Sequence, residues 1–126
     1  MRAALLYLDG ITRRFELAHD RTVIGRCPCD LERATPIGAE RDWPRAIRHA
    51  EKDGTGYVVI ADNGIIARRH FEIERRDFDL GPRFFLHPLD GGDTDVNGVR
   101  AGLSSGGTLL KDGDSILGGL FEFRVE

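Results

Sequence analysis

Leu109-Leu110-Lys111-Asp112-Gly113-Asp114-Ser115-Ile116-Leu117-Gly118-Gly119-Leu120-Phe121-Glu122-Phe123-Arg124-Val125 carries the reading that decides the fold. An apolar pair runs into Lys111-Asp112-Gly113-Asp114, a stretch of turn chemistry. Ile116-Leu117 follows and a glycine pair interrupts. Apolar residues then fall at 121, 123 and 125, with charged ones at 122 and 124. Successive side chains point to opposite faces only in a strand, so this period of two marks a strand with one face buried. Strand, turn, strand, turn, strand in so short a stretch predicts antiparallel β-structure.

The same rhythm runs back toward the N-terminus. The apolar run 3–8 stops at Asp9-Gly10, a strong hairpin signal. Phe15 and Leu17 alternate with Arg14, Glu16 and Ala18, and Thr22-Val23-Ile24 is β-branched until Gly25 halts it. Residues 57–60 read as a buried strand, Phe71 and Ile73 alternate with Glu72 and Glu74, 84–86 form another strand, and Asn97-Gly98 marks a tight turn. About ten or eleven short strands with such turn spacing predict an all-β antiparallel sandwich.

Between 27 and 55 the rhythm breaks, and polar, charged and small residues take over. Trp43, Ile47 and Ala50 recur at helical spacing, Pro44 suits a first helical turn, Asp42 an N-cap and Gly54 a stop. This predicts an insertion (27–55) between the third and fourth strands, bearing one short helix. Trp43 and Ile47 are expected to pack onto the sandwich, because so short an apolar stripe cannot hold a helix alone.

The 126 residues fit one domain, 1–126. Hydrophobic residues make up 40% and charged residues 31%, with a net charge of −3. That balance draws the molecule neither to nucleic acid nor to an acidic membrane. No stretch approaches the ~20 apolar residues of a membrane span, and the N-terminal apolar run is too short for a signal peptide. Cys27 and Cys29 stand too close for an unstrained mutual bridge, so a cytoplasmic location is expected. Of 18 basic residues, all but Lys52 and Lys111 are arginine. Planar guanidinium forks suit carboxylates and phosphates, and codon bias explains the same excess equally well.

Four pieces stand in order: Gly25-Arg26 after a β-branched strand, Ala67-Arg68-Arg69-His70 before an amphipathic strand, Thr94-Asp95-Val96-Asn97-Gly98 at a turn, and Gly113-Asp114-Ser115-Ile116 before the final strand. In this order they resemble the forkhead-associated (FHA) domain, whose signature runs G-R, then S-x-x-H, then N-G-T-x-V-N-G, then G-D-x-I. The likeness spans nearly the whole chain, 3–125. It implies a non-catalytic module that binds phosphothreonine peptides through loops at one end of a sandwich, in a signalling or assembly pathway. Phosphate chemistry explains why such a module uses arginine: a dianion requires several charge-assisted hydrogen bonds, and one guanidinium donates two.

Carried over residue by residue, the resemblance implies that Arg26 contacts the phosphate, while His70 orders the loops. Gly25, Asn97, Gly98, Gly113 and Asp114 fall on the structural positions. Ala67 stands where the family has its phosphate-binding serine. Gly91 and Gly92 stand at its polar pair, Asp93 replaces the glycine before Thr94, and Thr94 matches the threonine. Asp93 and Asp95 bring negative charge toward the expected phosphate position. Arg68 and Arg69 flank the lost serine, and Arg33, Arg41, Arg45 and Arg48 lie in the insertion; each is a candidate replacement, and surface arginines on a solvated element are the plainer account. An ion pair at a strand end is the plainer account of Arg26. The two expected functions are therefore a phosphothreonine reader and a phosphate-independent scaffold on the same sandwich.

Other chemistries fit less well. Asp93-Thr94-Asp95-Val96-Asn97-Gly98 opens like a calcium loop, but the twelfth position is Ser104 rather than a bidentate glutamate. Cys27, Cys29 and His49 fall short of a closed zinc set. Ser104, Ser105 and Ser115 have no base fixed by spacing, nor have His19, His49 and His87 a partner. No enzyme activity, metal or cofactor is expected, and the partner is a protein.

Overall fold

The computed structural model describes residues 3–8, 12–26, 33–37, 47–60, 67–89, 93–102, 106–119 and 121–126. Thirteen strands are found among them: β1 (Ala4–Leu8), β2 (Thr12–Glu16), β3 (Arg21–Gly25), β4 (Thr35–Pro36), β5 (Ile47–Lys52), β6 (Thr55–Ile60), β7 (Phe71–Phe78), β8 (Gly81–Pro88), β9 (Thr94–Val96), β10 (Val99–Arg100), β11 (Thr108–Leu110), β12 (Ser115–Gly118) and β13 (Phe121–Val125). They build a six-stranded sheet, β10-β9-β12-β13-β1-β2, and a seven-stranded sheet, β11-β8-β7-β3-β6-β5-β4. The expected sandwich is therefore present. One pair departs from the antiparallel pattern: β3 and β6 run parallel, with Ile24 opposite Val58.

The core is the facing surface of the two sheets. Leu5, Phe15 and Phe123 from the first sheet meet Ile24, Val58, Phe71, Ile73 and Leu86 from the second, all 1% exposed or less. Phe71 meets Phe123 edge-on, with ring centroids 5.5 Å apart, and so links the two layers directly. Burying each such side chain is worth about 1.5–3 kcal/mol, and the strand spacing of apolar residues places them all on one face.

The expected helix is absent among the described residues. Ile47–Lys52 is strand β5, paired residue for residue with β6 from Ile47 opposite Ile60 to Lys52 opposite Thr55. The misleading signal was the burial of both Ile47 and Ala50, three residues apart. In a strand those positions face opposite ways, and here both faces are covered: Val23 and Val59, on the same outer face as Ala50, are 4% and 1% exposed. Gly54 is not a helix stop but the second residue of a two-residue turn. Asp53 and Gly54 have φ of 52° and 80°, the left-handed pair of a type I′ hairpin. The stretch 27–55 thus contributes β4 and β5 to the second sheet. Trp43, Pro44 and Asp42 lie outside the described residues.

Candidate functional site

The ends of β3 and β12 and the starts of β7 and β9 converge at one end of the sandwich. The chain before β7 crosses over the end of β3 at very close range. A Cβ on Gly25 would stand 2.1 Å from the backbone oxygen of Arg68, so only glycine admits the crossing. Two backbone hydrogen bonds hold it: the Arg26 N–H donates to Ala67 O at 3.0 Å, and the His70 N–H donates to Ile24 O at 2.8 Å. This places Arg26, Arg68 and Arg69 on one loop cluster, with all three side chains exposed.

His70 is the centre of that cluster. It is 3% exposed. Its Nδ1 accepts the Ala67 N–H at 2.9 Å. A backbone N–H can only donate, so the ring carries its proton on Nε2, which donates to the backbone oxygen of Asp93 at 2.8 Å. The Gly119 N–H reaches the same oxygen at 3.3 Å. A Cβ on Gly118 would approach His70 Cδ2 to 3.3 Å and Phe71 Cε1 to 3.1 Å, so the glycine lets β12 pass beneath the ring. The imidazole therefore ties the loop before β7 to the loop before β9 through backbone atoms alone.

Asn97, Gly98, Gly113 and Asp114 lie at the other end of β9 and work as turn residues. Asn97 and Gly98 (φ 52° and 80°) form the type I′ turn between β9 and β10. Asn97 Nδ2 donates to Asp114 Oδ1 at 3.0 Å, and Asn97 Oδ1 accepts the Ser115 N–H at 2.9 Å. Asp114 Oδ2 accepts the Lys111 N–H at 2.8 Å, while Gly113 takes φ 88°. Two turns are thereby locked to each other.

The residues expected at the binding face part company. Arg26, Arg68 and Arg69 stand on adjoining backbone, and among the described residues none of their guanidinium groups has an ion-pair partner. A structural ion pair for Arg26 is thus not seen there. Thr94, in contrast, is fully buried, and its carbonyl accepts the Ala101 N–H at 2.8 Å. Gly91 and Gly92 lie outside the described residues, as do Cys27, Cys29, Arg41 and Arg45. Arg48 turns its NH1 to the backbone oxygen of Ile47 at 2.8 Å.

The acidic residues beside the site are compensated, which their place in the sequence did not suggest. Arg100 donates through NH1 to Asp93 Oδ1 at 3.0 Å and through Nε to Asp95 Oδ1 at 2.7 Å. Asp95, then Asp93, hold its guanidinium more firmly charged than an isolated arginine. Arg100 was missed in the sequence, although the signal was there: a two-residue turn at Asn97-Gly98 sets Arg100 directly opposite Asp95. The same contacts commit the would-be calcium ligands, and among the described residues no group of three His, Cys, Asp or Glu side chains could hold a metal ion. His87 does find a partner, Glu74 at 2.8 Å. Arg76 first and His87 second hold the Glu74 carboxyl at a pKa of about 2, the signature of a surface ion-pair cluster.

No protein-family model and no curated protein sequence matches the chain. Solved structures do. An FHA domain solved in work on phosphothreonine-dependent FHA domain interactions superposes with a TM-score of 0.63 at 23% identity, covering 100% of this chain and 96% of that one. The FHA domain of FhaA gives 0.61 at 22% identity over 98% and 99% of the two chains. The yeast Dun1 FHA domain, solved with a doubly phosphorylated peptide derived from Rad53, gives 0.61 at 19% identity over 99% and 73%. The fold is an FHA-type β-sandwich.

Proposed function

We propose that the chain is a non-catalytic interaction module that binds phosphothreonine-containing peptides through Arg26, Arg68 and Arg69. The observation that carries this reading is the close crossing that brings the backbone of exposed Arg26 beside that of exposed Arg68 and Arg69, held by the Arg26 N–H on Ala67 O and the His70 N–H on Ile24 O. Three arginines on adjoining backbone, with no acid paired to them among the described residues, suit a phosphate dianion, since each charge-assisted bond contributes about 1.5–3 kcal/mol. The FHA neighbours whose partners are phosphorylated lend support by analogy of fold. We assign the module to a cytoplasmic signalling or assembly pathway, where kinases supply the modified partner.

A second reading has its own support. Ala67 offers no hydroxyl and Thr94 is buried, so arginines alone would hold the phosphate; a sandwich that binds unmodified protein would tolerate both. Fluorescence-anisotropy titration with a degenerate phosphothreonine peptide pool, its unphosphorylated twin and the variant Arg26→Ala separates the two. The reader predicts phosphate-dependent binding that weakens about 10- to 100-fold in Arg26→Ala. Equal binding of the two pools, or none by either, leaves the phosphate-independent scaffold.

A further inference from the structure

We infer that two copies of this chain pair as a reciprocal dimer, in which the β7–β8 hairpin tip of each copy (Phe78, Asp79, Leu80) enters a groove between β10 and β11 of the other. Val96, Val99, Ala101 and Leu109 line that groove, together with Lys111 and Asp114. Phe78 ends β7 at the opposite end from His70, and Asp114 lies at the opposite end of β9 from Asp93. The dimer therefore leaves the Arg26 loops open, and it stands or falls without the phosphothreonine reading.

The tip is a projection with an apolar end. β3 pairs with β7 only as far as Glu74, and β11 pairs with β8 only as far as Phe84. Residues 76–83 are thus a ribbon of two strands, turning at Asp79-Leu80. Two strands alone are marginal in water. Leu80 is nonetheless 93% exposed and Phe78 about half exposed, although Arg83 lies over the Phe78 ring at 5.3 Å. Such a tip is stabilised by covering its apolar surface.

The groove is a matching hollow. β10 is the last strand of one sheet and β11 the last of the other, so the sandwich opens along that side. The hollow measures about 390 Å³. A cavity of about 150 Å³ takes a benzene ring, so this one has room for the Phe78 ring and the Leu80 side chain together. Val99 and Leu109 present exposed apolar surface there. Four of the five large apolar side chains exposed among the described residues thus fall on one knob and one hollow. Charge agrees with shape: Asp79 on the tip and Lys111 in the groove have opposite signs, and neither forms an ion pair among the described residues.

The two surfaces are neighbours on one molecule. Leu109 stands opposite Phe85, which is four residues along β8 from Gly81 at the tip, about 13 Å of strand. A two-fold axis between them sets each tip against the other copy's groove. The contact then closes at two copies instead of running on into a filament.

Sedimentation velocity over a concentration series of the full chain tests this. The wild-type chain should pass reversibly from monomer toward dimer as concentration rises. Leu80→Asp and Val99→Asp, both at exposed positions, should each weaken association at least about tenfold, since every contact occurs twice. Mixed, the two variants should associate more tightly than either alone, because the intact tip of Val99→Asp meets the intact groove of Leu80→Asp. Asp79→Lys and Lys111→Glu should each loosen the dimer roughly two- to fivefold, and both changes in one chain should restore it. A chain that stays monomeric up to about 1 mM overturns the dimer, as does a dimer indifferent to Leu80→Asp and Val99→Asp. Association lost in each variant and not regained in the mixture overturns the reciprocal docking. None of these outcomes touches phosphopeptide binding at Arg26.

Discussion

His70 Nε2 stands 2.8 Å from the backbone oxygen of Asp93, joining the loop before β7 in one sheet to the loop before β9 in the other. Because the opposite ring nitrogen takes the Ala67 N–H, the same side chain fixes the height of both loops. The placement of the loop that carries Arg68 and Arg69 thus depends on a buried side chain rather than on an exposed one.

Replacing His70 should therefore act on stability first. His70→Ala removes the partner of the Ala67 N–H and one of the two donors on the Asp93 oxygen, both part-buried, and empties the space of a buried ring, at about 1–3 kcal/mol for each unsatisfied group. Urea unfolding should show a loss of about 2–4 kcal/mol, and hydrogen exchange should show the Ala67 amide losing protection. A change below about 0.5 kcal/mol would mean that the ring does not hold the loops.

Gly25→Ala is expected to be among the most damaging single-methyl additions. The new carbon would meet backbone rather than a movable side chain, at 2.1 Å from Arg68 O. Overpacking against a fixed wall costs about 1–3 kcal/mol and often more. Gly102→Ala is the control, since nothing lies within 4 Å of its Cβ position. Thermal melts of the two variants should differ clearly, and similar melts would contradict the close crossing.

Gly54→Ala discriminates strand from helix in the 47–54 region. At φ 80° a Cβ is strained, so the hairpin should lose about 1 kcal/mol. A helix terminating there by simple fraying would be indifferent to the change or strengthened by it. Equilibrium denaturation reads the sign.

His49 makes stability fall with acid. It is 4% exposed, and Phe15 packs edge-on at 5.4 Å. Burial first, and the neighbouring His19 second, lower its pKa to about 4, against an opposing pull from Glu16. Between about 6.5 and 4 the unfolded chain binds a proton that the folded one refuses. Stability from this group is thus full above about pH 6.5 and declines as pH drops to about 4, by on the order of 2–3 kcal/mol. His49→Leu should flatten that part of the stability–pH curve; an unchanged slope would assign it to other groups.

Much of the architecture was legible because strand signals are local. The alternation at 121, 123 and 125, the β-branched run ending at Gly25, and the Asn97-Gly98 turn each act within a few residues, and β13, β3 and the β9–β10 hairpin lie where those patterns put them. β5 was misread because a strand covered on both faces loses its alternation, and buried Ile47 and Ala50 then imitate a helical stripe. Asp53-Gly54 carried the correct signal in a segment already assigned to another structure.

Local pattern was enough to establish an all-β sandwich, and the resemblance carried by the order of motifs implied a lost serine at Ala67 and a scaffold role for His70. It took the packing of two sheets to seal Thr94 in the interior, to span Asp93 and Asp95 with Arg100, and to lay β3 parallel to β6. The physical reason is the reach of each interaction. Period and turn chemistry are set by neighbours along the chain, whereas burial and ion pairing are set by which loops the two sheets bring together, and here a single imidazole brings Ala67 and Asp93 within hydrogen-bonding distance of one ring.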